Sequence, residues 1–397
     1  MGEVANIPQL RFPEFDQPLL TDILLNLTDV LRCGIAATPK YVDSGITFLS
    51  SQNVTPTGKI LMDKCNFISE DYYKKISKNA KLLKGDILYS RVGARYGNAA
   101  IFPFEGDYGV YVSLTHIRAS QKLDNTFLKF LLNSPIGKTQ AKKGVFQGGG
   151  VPNLNVKVVE KFKINFPSKP EQQKIAAFLT AVDAKIEQLI KKKELLDEYK
   201  KGLMQQIFSQ AIRFKADDGS DFPDWKENKV DEFMEVTRGQ VLAVPEMRQV
   251  ESEIFKYPVY SSQTKNNGLT GYYTDYLFED CITWTTDGAN AGDVNYRAGK
   301  FYCTNVCGVL RSKKGYANLC IAQILNSVSR RYVSYVGNPK LMNNVMEKIK
   351  ISIPSSINEQ TKIANFLSSV DSKIEEVGKQ LDESKQFKKA LLQKMFV

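Results

Sequence analysis

The sequence predicts a mixed α/β chain written as an internal repeat: two similar globular domains, each followed by one long helix, with the two helices pairing. Three observations lead there. A 38-residue segment occurs twice, its apolar residues keep a coiled-coil period, and strand-like runs recur at matching places in the segments before it.

Residues 171–208 and 359–396 align without a gap at an offset of 188, with 18 of 38 positions identical. Self-similarity at a fixed offset marks duplicated structural units. The likeness continues upstream. KVVEKFKINFP (157–167) answers NVMEKIKISIP (344–354), and Val151-Pro152 answers Asn338-Pro339. ILYSRVGARYG (87–97) answers ITWTTDGANAG (282–292), with Gly93 opposite Gly288, and Ser-Ser-Gln stands at 50–52 and 261–263. Each domain is also preceded by a similar stretch, Arg11-Phe12 with Phe12-Pro13-Glu14-Phe15 and Arg213-Phe214 with Phe222-Pro223-Asp224-Trp225.

In the repeated segment Ile175, Leu179, Val182, Ile186 and Leu189 are spaced by threes and fours, as are Ile363, Leu367, Val370, Ile374 and Val377. That 3.5-residue repeat is the coiled-coil pattern. Ile175, Leu179, Val182, Ile186, Ile363, Leu367, Val370 and Ile374 are the expected pairing residues. Pro170 is tolerated in a first turn, and Glu171 and Glu359 favour the positive helix start. About 38 residues make a rod of roughly 57 Å. The alternative, each helix lying on its own domain, leaves the equal lengths unexplained. The expected divisions are a first domain over 1–169, a helix over 170–209, a second domain over 210–357 and a helix over 358–397.

Within the domains, Ile46–Leu49, Ile87–Arg91, Asn98–Phe102 and Tyr111–Ile117 read as short strands between turn residues. Thr126–Leu132 reads as a helix opened by Asn125. Cys281–Thr285, Asp293–Tyr296 and Val306–Arg311 are the comparable strands, and Leu319–Asn326 the comparable helix.

Net charge is +11, and its placement matters more than its size. Residues 1–169 carry +8 and 254–357 carry +6, each helix carries +1, and 209–253 carries −5. A polyanion binder places positive charge in this way, on its globular parts. No apolar run approaches the roughly 18 residues of a membrane span. The start, MGEVANIPQL, has neither a basic nor an apolar stretch, so a cytoplasmic location without membrane contact is expected. Cys33, Cys65, Cys281, Cys303, Cys307 and Cys320 lack metal or redox spacing and read as reduced thiols.

Catalytic motifs are absent. His116 is the one histidine and lies in an apparent strand. No GxxxxGK[ST] cradles phosphate, and no Asn/Asp-Pro-Pro-aromatic tetrapeptide is present to hold a flipped base. Asp224 and Glu227 stand too close in sequence for a nuclease carboxylate set. Gly148-Gly149-Gly150 lacks the strand-then-helix context of a nucleotide loop.

What remains is polar and basic loop chemistry. Asn and Gln pair bidentately with adenine and Arg with guanine, while Lys suits phosphates. The first domain offers Ser50, Ser51, Gln52, Asn53, Arg91, Arg95, Lys142, Lys143 and Gln147. The second offers Ser261, Ser262, Gln263, Thr264, Lys265, Asn266 and Asn267, then Thr285, Thr286, Asn290, Arg297, Lys340, Asn343 and Asn344. Any one of these also fits an ordinary solvated loop; the recurrence of Ser-Ser-Gln favours recognition.

The pattern EQxKIAxFLxxVDxKIE, twice in one chain and ending each half, resembles the specificity subunits of type I restriction-modification systems. So does the RFPEF-like stretch before each domain. GDILYSRVGARYG and YPVYSSQTKNNGLTGYY match only in outline. The resemblance implies two target-recognition domains held apart by antiparallel helices, each reading one half of a split double-stranded DNA site. It implies that the helices gauge the unread spacer and dock two adenine-N6 methyltransferase subunits, with restriction (motor-nuclease) subunits joining for cleavage. Catalysis, S-adenosylmethionine, ATP and Mg then belong to the partners, and this chain holds no cofactor or metal. The acidic stretch after Asp217 is expected on a face away from DNA.

Overall fold

Strands covered on both faces are rich in apolar residues, and Ile87–Ser90, with all four residues buried and the first three apolar or aromatic, is one. The computed structural model describes residues 7–77, 81–146, 150–262 and 266–397. Chain contacts divide it into two units, residues 1–192 with 377–397 and residues 193–376. The division therefore cuts both long helices near their middles, where the sequence places boundaries at their ends.

In the first unit an antiparallel sheet runs in the order Thr28–Cys33, Leu114–Ala119, Ile87–Ser90, Ala99–Ile101. A second sheet joins Asn66–Ile68, Ile46–Leu49 and Tyr108–Val110, the last pair parallel. Leu24, Ile87, Tyr89, Phe127, Phe130 and Leu132 fill the main core. The helix Asn125–Asn133 is capped by Asp124, which accepts from Thr126 N and Phe127 N, both at 2.9 Å. Asn125, the expected opener, instead accepts from Ala119 N at 2.9 Å.

The second unit repeats this order in one six-stranded sheet: Glu235–Arg238, Cys307–Arg311, Phe278–Thr285, Val294–Cys303, Tyr257–Tyr260, Leu269–Tyr273. Ile282↔Tyr296 and Thr283↔Asn295 reproduce the register of Ile87↔Ile101 and Leu88↔Ala100. One difference separates the two. The ten-residue strand Val294–Cys303 serves both halves of its sheet, whereas its counterpart stops at Ile101 and resumes at Tyr108. Pro103 has no N–H for a ladder, and Gly106 at φ 110° turns the chain, so the first sheet splits in two.

The long helices are Lys169–Phe208 and Ile357–Lys394. In the first unit Lys388 Nζ lies 2.5 Å from Asp183, and Leu391, Met395 and Phe396 share the core with Ile175 and Leu179, so the helices run antiparallel. In the second unit Lys200 Nζ lies 2.6 Å from Asp371, and Ile207 shares the core with Ile363 and Leu367. The 188-residue offset carries each ion pair onto the other. Ile175, Leu179, Ile363 and Leu367 thus belong to domain cores as well as to the helix contact, which is more than a simple seam asks. Val182 packs on the first core and Val370 is buried, while Ile186 and Ile374 are half-buried. No helix among the described residues is long and apolar enough to cross a membrane.

Each domain is strapped to the start of its helix by a clasp that sequence inspection placed only as a dipole effect. Glu171 receives Arg11 Nε at 2.7 Å and Nη2 at 2.8 Å. Glu359 receives Arg213 Nη2 at 3.2 Å on both oxygens, and Trp225 Nε1 at 3.1 Å. The buried amides beside them, Gln172 and Gln360, donate to the carbonyls of Pro167 (2.9 Å) and Pro354 (2.8 Å).

His116 is a packed histidine, its Nε2 2.7 Å from the buried Asp86 carboxylate, which also accepts Arg118 Nε at 2.8 Å and Leu83 N at 2.8 Å. Burial pushes the Asp86 carboxyl up, but the hydrogen bonds from His116 and Arg118 outweigh it and hold the pKa down at about 2, against 3.8 ordinarily. A depressed folded pKa stabilises above the unfolded value and is lost as pH falls through the folded one. Asp86→Asn is therefore expected to cost about 3 kcal/mol at neutral pH, because the buried His116 and the partly buried Arg118 lose their anion. Its thermal midpoint should converge on that of the wild type between about pH 4 and pH 2. A gap that persists at pH 2 would contradict this.

Candidate nucleic-acid interface

In the first unit the loops at one end of the sheet converge. The turn after Ile87–Ser90 is held by Gly93 N donating to Pro152 O at 3.0 Å, and Gly93 has φ 76°, which favours glycine. Arg95 is exposed, and its Nη1 donates to Gln52 O, joining this turn to the Ser50–Asn53 turn. Gln52 is also exposed, with its amide on Lys64 O at 3.1 Å. Lys142 and Lys143 stand exposed in the last turn of Pro135–Gly144, beside the two-stranded ribbon of Val145–Phe146 and Asn153–Leu154. Phe146 and Val151 are also exposed there. Lys138, which sequence reading passed over, bonds Gly97 O and Asn98 Oδ1, and burial pushes its pKa down to about 8. It pins the turn.

Two expected readers in this unit are committed elsewhere. Asn53 is 1% exposed, accepts from Ser50 N and donates to Leu61 O, each at 2.9 Å. Arg91 is buried, its guanidinium spread over Leu154 O, Val112 O and Asn153 Oδ1 at 2.9 to 3.1 Å. Both brace the loops that carry Gln52 and Arg95, because backbone carbonyls brought close by the fold capture their donors. Ser50 and Ser51 are half-buried, and Ser51 N donates to Ser113 Oγ at 2.9 Å. Gln147 lies outside the described residues.

The second unit repeats the arrangement. Gly288 N donates to Pro339 O at 2.9 Å, the partner of the Gly93–Pro152 bond. Thr286 is fully buried, with its hydroxyl on Val306 O at 2.9 Å, so it too is committed to the fold. Lys340 lies 3.8 Å from Asp287, and Asn343 Nδ2 donates to Thr237 O at 3.3 Å. Asn344 is exposed and Ser262 half-buried. Asn266 and Asn267 form a tight left-handed turn, each at φ 50°. Ser261, Asn267, Thr285, Asn290 and Arg297 line one polar recess, together with Asp293, Asn295, Asn326 and Arg330. Gln263, Thr264 and Lys265 lie outside the described residues. In the acidic stretch Asp217 pairs with Lys362 of the second long helix at 2.6 Å, and Asp221 with Lys215 at 3.8 Å.

Among the described residues no group of three or more His, Cys, Asp or Glu side chains is placed to hold a metal ion. The site is a pair of corresponding polar, basic loop surfaces on duplicated mixed α/β domains.

These features define one mixed α/β architecture present twice in the chain. The family model for the type I restriction modification DNA specificity domain matches residues 40–197 and 223–383, and the chain belongs to this family. A protein of Mycoplasma pneumoniae assigned as a type I specificity subunit is 32% identical over 231 residues, covering 57% of this chain and 82% of that one. The type I restriction enzyme MpnII specificity subunit of the same organism is 36% identical over 142 residues, covering 35% of this chain and 42% of that one. The crystal structure of a type I restriction-modification S subunit from M. genitalium shares the fold, at 17% identity and a TM-score of 0.66, over 98% of this chain and 99% of that one.

Proposed function

We propose that this specificity subunit is itself non-catalytic, and that each globular domain reads one half of a bipartite double-stranded DNA site. The helices set the unread spacer and dock two adenine-N6 methyltransferase subunits, and restriction subunits join them in the cytoplasm. S-adenosylmethionine, ATP and Mg belong to those partners. The observation that carries this reading is the recurrence of one loop arrangement, pinned through Gly93–Pro152 and Gly288–Pro339, on duplicated domains in which residues 1–169 carry +8 and residues 254–357 carry +6. Duplicated readers imply two separable half-sites.

Exchanging residues 1–165 for the matching segment of a relative tests it, with methylome sequencing of cells that also carry the methyltransferase partner. The donor segment must keep an apolar seat for Phe396, which packs on Phe127 at a ring separation of 5.5 Å. One half of the methylated sequence is expected to change. A change in both halves, or in neither, contradicts two independent readers. The purified, partner-free chain is expected to transfer no methyl group to adenine; transfer above background would show a catalytic site of its own.

A further inference from the structure

The two domains differ most informatively at three positions fixed by strand register. In the first, Leu88, Ala100 and Phe102 are fully buried in one apolar cluster. In the second, Thr283 and Asn295 correspond to Leu88 and Ala100 in the ladder, and Arg297, opposite Cys281, corresponds to Phe102, whose N–H donates to Asp86 O one step beyond the first ladder. An apolar plug in one copy has thus become a polar recess in the other. Arg297 is 8% exposed and stacks on Tyr260, with its guanidinium carbon 3.8 Å from the ring centre. Its Nε donates to Thr283 Oγ1 at 3.1 Å and its Nη2 to Asn267 O at 2.6 Å. Among the described residues no carboxylate pairs with it. The recess does contain an acid, Asp293, but Arg330 already holds it.

A buried cation without a counter-ion is costly, and a cation–π contact with two neutral acceptors repays only part of that cost. The guanidinium fork is suited to a phosphate oxygen pair, and the amides of Asn290 and Asn295 line the same recess. We propose that the recess around Arg297 is a seat for one phosphate of the DNA backbone, used by the second domain and not by the first. This rests on the DNA-reading function proposed above. It gives Arg297 a positioning role that fixes the register of the domain on the duplex rather than reading a base.

The test uses the full-length chain with a random-sequence duplex and with a duplex carrying the methylated sequence, affinity being measured by fluorescence anisotropy across a salt series. Each phosphate contact contributes about 0.9 to the slope of log affinity against log salt. Arg297→Gln is expected to weaken binding and reduce the slope by about that amount. Arg297→Lys should keep the slope, since a lysine still neutralises phosphate. Asn290→Asp, which leaves Arg297 in place, should weaken binding by setting a carboxylate at the recess. The seat is overturned if Arg297→Gln and Asn290→Asp both bind as the wild type does. It is equally overturned if Arg297→Gln loses only discrimination for the methylated sequence at an unchanged slope, which marks a base contact. Arg297→Lys proving as damaging as Arg297→Gln, with a lowered thermal midpoint, marks a purely structural brace and overturns it too. A wild-type chain that binds no duplex at all would overturn the DNA reading itself, so the two failures are distinguishable.

Discussion

Seven residues inserted after both Lys191 and Lys379 are expected to leave the two half-sites unchanged and to widen the gap between them by about three base pairs. Seven residues add about 10 Å of helix and preserve the heptad phase. DNA advances about 3.4 Å per base pair along each strand. The two points suit each other: Asp183 faces Lys388 in an antiparallel pair, and eight residues along each helix brings 191 opposite 380. Three base pairs also rotate the second half-site by roughly 100°, since a turn takes about 10.5, so slower methylation is expected. Four residues inserted at the same points break the heptad phase and should do worse. Methylome sequencing reads the outcome. A lengthened protein that folds and methylates at the original spacing would show that the helices are not the gauge.

Glu171→Ala is expected to cost about 3 kcal/mol, the low end for removing one partner from a buried ion pair, because Glu171 is buried and Arg11 partly so. Its counterpart, Glu359→Ala, should cost less, about 2 kcal/mol. The two clasps occupy equivalent places in the repeat but differ in geometry. Arg11 meets Glu171 side-on through Nε and Nη2 at 2.7 and 2.8 Å, and the carboxylate raises the Arg11 pKa through that hydrogen bond. Arg213 offers a single nitrogen to both oxygens of Glu359 at 3.2 Å, and its buried Nε has no partner. Charge-assisted bonds are stronger when short and bidentate. Denaturant or thermal unfolding of the two single variants checks the order. Equal costs would mean that geometry is not what sets the worth of the clasp.

The duplication, the lengths of the helices and the two-domain mixed α/β organisation were legible in the sequence. The 188-residue offset leaves no freedom about what repeats, and a 3.5-residue apolar period fits one kind of element. Membership of the specificity family followed from EQxKIAxFLxxVDxKIE standing twice. The strand Ile87–Ser90 and its counterpart ending at Thr285 were likewise visible as short β-branched or aromatic runs before turn glycines that match within the repeat. The strands Tyr108–Val110, Tyr257–Tyr260 and Leu269–Tyr273 were not, because polar and aromatic residues there mimic loops and pairing comes from distant chain.

Which polar residues remain free to meet DNA was decided by tertiary structure alone. Asn53, Arg91 and Thr286 look like readers in the sequence, since a donor beside a strand end has the right chemistry. Their fate depends on carbonyls up to 63 residues away, such as Leu154 O for Arg91. Arg297 is the reverse case. Its residue type suggested a contact, but only the register Leu88–Ala100 against Thr283–Asn295 shows that the second domain replaces an apolar plug with a polar recess. A sequence specifies which groups can donate; the folded backbone, by bringing remote acceptors within 3 Å, determines which donors are already spent.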